Sequence, residues 1–371
     1  MKKTLFLFAV SLLFGACSPS ATVEVTSCAD IDLSDATVEI AWNRLANFSP
    51  SAVVVLNADN EQIPSQVVYR GETEPQALIF QTNITAGATE RFIIREGRRE
   101  DYPAEAFGRQ VPERYDDYAW ENNKVAYRLY GPALETAPGE MLVTPGIDVW
   151  VKCTDKLVID EWYAKGDYHH NYGDGMDCYK VGRTLGGGSS VPFIDGKLFL
   201  LPHNYQTCKT LDNGPIRTSV ELTYAPFAIG DKTVALTKII TLDANQHFNK
   251  MECIYTGDFT ELPVATGFVR HDVKPTLTGE DWVAICEPAS DSKDPVRDGD
   301  IYGAVLLQGA EILPDAAGHA LAVKNVEPNE TLTYYAGTGW SQGGVDDMED
   351  WLEKLNETKA AVETPLQIVV R

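Results

Sequence analysis

The sequence predicts an all-β chain: a small N-terminal β-sandwich followed by a large antiparallel β-sandwich with one C-terminal helix. Three observations predict it. In nearly every periodic segment the apolar residues recur at every second position, which is the period of a half-buried strand. Turn-forming Gly, Pro, Asn and Asp punctuate the chain, as at Asn57-Ala58-Asp59-Asn60 and Gly71-Glu72-Thr73-Glu74-Pro75. No stretch alternates strand-like with helix-like patterns, which argues against a doubly wound parallel sheet.

Taken in order, residues 1–16 read as an export signal. Lys2 and Lys3 precede an apolar run at 5–13 that is too short to span a bilayer. Gly15 and Ala16 stand directly before Cys17, the pattern of a bacterial lipoprotein signal. Cleavage before Cys17 would leave an acylated thiol and a polar tether over 17–22. Residues 23–98 form the small sandwich, with strands expected at 23–25, 38–42, 52–56, 67–69, 78–81 and 91–94. The charged stretch 95–102 reads as a linker. Residues 99–371 form the large sandwich. Its strands are expected at 125–129, 148–152, 157–162, 197–201, 218–224, 234–242, 250–255, 265–269, 282–286, 302–307, 320–323 and 331–336. So many strands do not stay in one flat sheet, and two sheets packed face to face are the natural solution. A helix is expected at 346–359, where Met348, Trp351, Leu352 and Leu355 share one face, acids occupy the first turn and Pro365 lies beyond the end.

Composition narrows the partners. Across 371 residues, 54 acidic side chains against 31 basic ones give a formal net charge of -23. Phosphate binding needs a basic surface, so nucleic acid is excluded as a partner, and docking on an anionic membrane is disfavoured. Contact with a membrane would run through the N-terminal lipid alone. The cysteines beyond Cys17 are widely spaced and form no C-x-x-C, which excludes a zinc ribbon or thioredoxin-like motif. Bridges and buried free thiols both remain open for them.

Chemistry concentrates between 115 and 217. Trp120, Glu121, Asn122 and Trp150 precede a run rich in aromatics, glycines and acids at 162–180, and Lys180, Arg183, His203 and Arg217 follow. Aromatic faces stack on a pyranose while planar polar groups read its hydroxyls, so this mixture suits an oligosaccharide. Trp120, Glu121, Asn122, Trp150, Lys180 and His203 are the candidate binding residues. Asp174 and Asp177 offer oxygen ligands to a hard divalent cation, the one cofactor considered. His169 and His170, as strand neighbours, would face opposite ways and share an ion only from a loop. No H-E-x-x-H or Walker loop is present, and Gly186-Gly187-Gly188 lacks the lysine of a phosphate cradle.

Several motifs together resemble a known family. They are Trp120-Glu121-Asn122-Asn123-Lys124-Val125-Ala126-Tyr127-Arg128, Gly146-Ile147-Asp148-Val149-Trp150-Val151-Lys152, Gly173-Asp174-Gly175-Met176-Asp177-Cys178-Tyr179-Lys180, Asn213-Gly214-Pro215-Ile216-Arg217 and Tyr335-Ala336-Gly337-Thr338-Gly339-Trp340. The chain resembles a "domain of unknown function" group of exported Bacteroidetes proteins from polysaccharide-utilisation loci. That group is similar to the uronate-processing dehydratases and lyases linked to ulvan-type polysaccharides. The second domain resembles the large sandwich of aldose mutarotases and several polysaccharide lyases. The resemblance implies a cell-envelope protein of a Gram-negative bacterium that acts on uronic-acid oligosaccharides by β-elimination. Such chemistry needs a guanidinium on the carboxylate, for which Arg183 and Arg217 are candidates. It needs a base at C5, His169 or His170, and an acid at the leaving oxygen, Tyr172 or Tyr179. Two alternatives stand beside it: a non-catalytic glycan-binding lipoprotein, and a glycoside hydrolase pairing Glu121 with Asp174 or Asp177.

Overall fold

Strand Ser20–Thr26 alternates half-exposed with buried side chains, and Val23 and Val25 drop into the first core. The computed structural model describes residues 19–272, 274–289, 291–292 and 297–371. The segment read as an export signal, Cys17 included, lies outside the described residues. Ser20–Thr26 sits in a five-stranded antiparallel sheet ordered Gln367–Val370, Ser20–Thr26, Thr89–Glu96, Val53–Leu56, Gln62–Ile63. A three-stranded sheet, Leu33–Ala41, Ala77–Ile84, Ser65–Val68, faces it. Val38, Ile40, Leu78 and Ile94 fill the space between, with the Phe80 and Phe92 rings 4.7 Å apart. The outermost strand, Gln367–Val370, returns from beyond the large sandwich to pair with Ser20–Thr26.

The remaining strands form three antiparallel sheets around one larger core. The first is ordered Gly175–Asp177, Ile147–Lys152, Val125–Leu129, Asp117–Asn122, Ala106–Val111. The second runs Lys197–Leu198, Gly187–Ile194, Leu262–Val269, His319–Val326, Glu311–Ala316. The third has nine strands, running from Tyr205–Asp212 through Arg217–Tyr224, Lys232–Asp243, Phe248–Gly257, Thr331–Trp340, Asp300–Leu306 and Trp282–Pro288 to Leu277–Thr278; Phe227–Ile229 pairs beside the path. Antiparallel sheets facing a shared apolar interior match the predicted fold class. Cys28, Cys153, Cys178, Cys208, Cys253 and Cys286 are all free thiols.

Two α-helices complete the described residues. The one expected at 346–359 is α2, Met348–Glu363, and the Asp347 carboxylate accepts the Glu349 and Asp350 N–H groups at its start. Trp351 and Leu355 bury against the outer face of the nine-stranded sheet, where Trp351 stacks on Phe248 at 5.0 Å. The other helix corrects the sequence reading. Residues 157–162 were expected as a strand, but α1 spans Ile159–Lys165. Its start is held by the Glu121 carboxylate, which accepts the Val158 and Ile159 N–H groups at 2.8 Å. Gly166, at φ 73°, ends it by donating to Trp162 O.

Candidate active site

The first of the three sheets of the large part is buried on both faces. Tyr118, Trp120, Tyr127, Val149 and Val151 enter the main core. Cross-strand partners share a face, so Arg128 with Asp148, and Trp150 with Asp177, project to the opposite side. An apolar helix face covers that side: Val158, Ile159, Trp162 and Tyr168 pack on Ala119, Ala126 and Trp150. A polar sheet face is thereby sealed from water under α1 and the loop that follows it.

Arg128 is the centre of this face. Its guanidinium donates to Asp148 and, at 3.1 Å, to the Tyr168 hydroxyl. Asp177 lies 3.4 Å away and Asp117 3.9 Å away. The rings of Tyr130, Trp150 and Tyr168 surround the cation at 4.9–5.6 Å. Three carboxylates around one cation are not all comfortable as anions. Burial pushes Asp117 up to about 6, against the pull of Arg128. Burial, and then the neighbouring Asp148, hold Asp177 well above the usual carboxylate range.

Four buried polar atoms in this neighbourhood lack any hydrogen-bond partner among the described residues: Arg114 Nη1, Asp117 Oδ2, Arg128 Nε and the Tyr163 hydroxyl. Buried polar groups normally pair, so a cluster of exceptions marks a place built for something other than stability. The backbone agrees. Tyr115 and Asp116 adopt φ of 53° and 60°, two successive non-glycine residues in the left-handed region. Gly131 makes the turn possible, because a Cβ there would lie 2.1 Å from the Asp116 carbonyl. Its N–H donates to Asp117 Oδ1 at 3.0 Å, and the Tyr205 hydroxyl donates to Asp116 O.

His169 sits at the edge of this cluster with about half of its side chain exposed. Its Nδ1 lies 3.2 Å from the Asp177 carbonyl oxygen and 3.7 Å from Asp177 Oδ2. A carbonyl only accepts, so in the neutral ring the proton sits on Nδ1 and Nε2 keeps its lone pair. Nε2 has no hydrogen-bond partner among the described residues. His170 turns into a separate small cleft of about 160 Å³, lined also by Trp162, Lys165, Tyr172 and Asp174. There Asp167 receives His170 Nδ1 at 2.8 Å and the Tyr172 hydroxyl at 2.7 Å. The bond to Asp167 raises the exposed Tyr172 phenol above its usual range. Lys165 Nζ stands 3.1 Å from the Tyr172 ring centre.

Several expected site residues are elsewhere or enclosed. Trp120 and Trp150 are core residues: Trp120 donates to Asn249 at 2.8 Å, and both ring faces of Trp150 are covered, so neither offers a surface to a sugar. Glu121 is enclosed, pairing with Lys152 at 2.8 Å and holding α1. Asn122 ties its turn to Asp243 O and Gln246 O at 2.6 and 2.7 Å. Tyr179 is buried and donates to Val269 O. His203 pairs with Glu135 at 2.9 Å, away from these loops in its own contact. Arg217 binds Asp243 and Glu39 at 2.6 Å each, joining the small sandwich to the nine-stranded sheet. Lys180 and Arg183 are exposed on the segment after Asp177.

The cation reading does not fit its residues. Asp177 already faces Arg128, and Asp174 faces Lys156 at 3.8 Å. Among the described residues no group of three or more His, Cys, Asp or Glu side chains could hold a metal ion.

Sequence reasoning gave no role to Arg114, Asp117, Arg128, Asp148 or Tyr163. A signal existed: Arg128 and Asp148 are charged positions inside otherwise apolar strands, both in phase with Trp150. His271 was missed as well. Its ring bridges Glu287 at 2.7 Å and the Lys180 carbonyl at 2.6 Å, so it fixes the segment that carries Arg183.

Comparison with known proteins adds a relative, a fold and a family. Uncharacterized protein P7 of Formosa agariphila is 29% identical over 406 aligned positions, covering 99% of this chain and 98% of its own. An alpha-mannosidase from Enterococcus faecalis matches with a TM-score of 0.55 at 8% identity, over 95% of this chain and 46% of its own. A protein in glycosyl hydrolase family 38, also from Enterococcus faecalis, matches with a TM-score of 0.53 at 9% identity, over 95% and 47%. The chain therefore spans a little under half the length of these two structures, and at such identity the likeness is one of fold alone. A family model described as "Domain of unknown function (DUF4861)" matches residues 25–368.

Proposed function

The chain belongs to the DUF4861 family, and from that premise we propose that it is a carbohydrate-active enzyme that eliminates across C4–C5 of uronic-acid-containing oligosaccharides. A sugar as ligand class is supported by a fold shared with two glycoside-processing proteins. The observation that carries the reaction is His169, an exposed imidazole whose Nδ1 faces the Asp177 carbonyl and whose Nε2 is left to accept a proton. In the proposed step Nε2 removes the C5 proton, the electron pair forms the C4–C5 double bond, and the C4–oxygen bond breaks. Arg183, exposed on the segment after Asp177, would neutralise the uronate carboxylate and lower the barrier to the enolate-like state. Tyr172, in the neighbouring cleft with its hydroxyl on Asp167, keeps its proton at neutral pH and is the candidate to deliver it to the departing oxygen.

The shared fold suits a hydrolase as well, but the carboxylates named for one do not. Glu121 is engaged with Lys152 and α1, and Asp177 is buried against Arg128. The test is ultraviolet absorbance of the new double bond during incubation with a panel of uronate oligosaccharides, followed by product mass. Elimination by the wild type should fall roughly 10²–10⁴-fold in His169→Ala. A flat trace with shorter products would instead identify a hydrolase. A flat trace with unchanged oligosaccharides would identify a binding protein.

A further inference from the structure

A cavity of about 360 Å³ lies away from His169, where the small sandwich, α2 and the outer face of the nine-stranded sheet meet. We propose that this junction cavity is a second carbohydrate subsite, one that takes an uncharged sugar rather than a uronate. The inference rests on the carbohydrate reading for its ligand class, but on no reaction at His169.

One wall is apolar, built by Phe248 of the sheet together with Val362 and Leu366 at the end of α2. The facing wall is polar and held in place. Arg217 is fixed by two bonds to Asp243, at 2.6 and 2.9 Å, and by one to Glu39 at 2.6 Å. Thr37 adds a bond to Asp243 at 2.8 Å. Between the walls, Thr241, Lys250 and Tyr335 are cross-strand neighbours on one face. The hydroxyls of Thr241 and Tyr335 have no hydrogen-bond partner among the described residues, although both line the cavity. An apolar face opposite fixed planar polar groups and free hydroxyls is what a sugar ring requires.

Charge selects the class of sugar. Glu39, Asp243 and Glu357 face the cavity against Arg217 and Lys250, and the Arg217 charge is already matched by Asp243 and Glu39. An anion would meet excess negative charge, whereas a neutral sugar can donate its hydroxyls to the remaining carboxylate lone pairs. The volume has room for roughly one or two sugar rings, at the low end of the usual range for ligand sites. A site shared by two packed units is also where ligands commonly bind.

Saturation-transfer NMR with neutral methyl glycosides (glucoside, galactoside, mannoside, xyloside) and the matching uronates tests this on the full chain. At least one neutral glycoside should receive saturation, equally in wild type and in His169→Ala. Tyr335→Phe, which keeps the ring, should weaken that binding roughly two- to tenfold, the value of one hydrogen bond. Tyr335→Ala should abolish it in a chain that keeps the wild-type far-ultraviolet circular dichroism. Saturation of neutral glycosides that survives in both variants, or none in the wild type, overturns the proposal. Binding intact without elimination defeats only the reading of His169, and elimination intact without binding defeats only the subsite.

Discussion

Asp117 combines an unpartnered oxygen, a strained turn before it and a proton affinity raised by burial. Its folded value of about 6 lies above the ordinary 3.8, so the folded state holds its proton longer than the unfolded one. The stability this contributes is complete below pH 3.8 and is lost as pH rises through 6. His247 runs the other way. Burial lowers it from 6.5 to about 4, so its contribution is complete above pH 6.5 and lost as pH falls through 4. The two trends oppose each other across the same window, and each hides the other in the wild type. Asp117→Asn keeps an acceptor for the Gly131 N–H and removes one trend. Relative to wild type it should gain about 3 kcal/mol between pH 4 and pH 7, read by urea denaturation at several pH values. A constant difference across that range would show that Asp117 does not titrate as burial dictates. At this scale the sequence was partly legible. It singled out the segment that carries His169 and Asp177 as a candidate, but read Trp120 and Trp150 as exposed, where both are buried. Alternation reveals which residues share a face of a strand. It does not reveal that α1 covers the second face, because that depends on chain distant in sequence.

The helix α1 was itself unreadable for the same reason. Residues 157–162 carry Ile159 and Trp162 but no capping residue of their own, and their cap is Glu121, 37 residues upstream of Val158. A strand reading followed naturally from a short apolar run. By contrast α2 was legible because its cap, Asp347, and its apolar stripe are local. Glu121 is therefore a structural keystone of the α1 cover and not a catalytic acid. Glu121→Ala would leave the buried Lys152 ammonium without its counter-charge, holding only the Asn122 carbonyl, and would release the first N–H groups of α1. A loss of about 3–5 kcal/mol is expected, together with faster amide exchange confined first to 158–166. An unchanged exchange pattern there would remove Glu121 from this role.

At the scale of the molecule, the all-β class and the large sandwich were legible from period-two patterning repeated over most of the chain. The five-stranded sheet of the small sandwich was not legible in full, because Gln367–Val370 is only four residues long and nothing in it names its partner. That strand covers the edge of Ser20–Thr26 over four paired positions. Removing 366–371 should leave a bare strand edge, detected as self-association in size-exclusion chromatography and as protease nicking near residues 20–27. A monomer resistant to protease would show that the edge is protected some other way. The same pairing sets an order of events during synthesis. Most of a nascent chain can settle as it emerges, but Ser20–Thr26 must wait for residues 367–370 before its second neighbour exists. Until residues 367–370 arrive, the newborn protein carries an open template for β-pairing, and a ribosome that stalls short of them releases a chain primed to stick to its own kind.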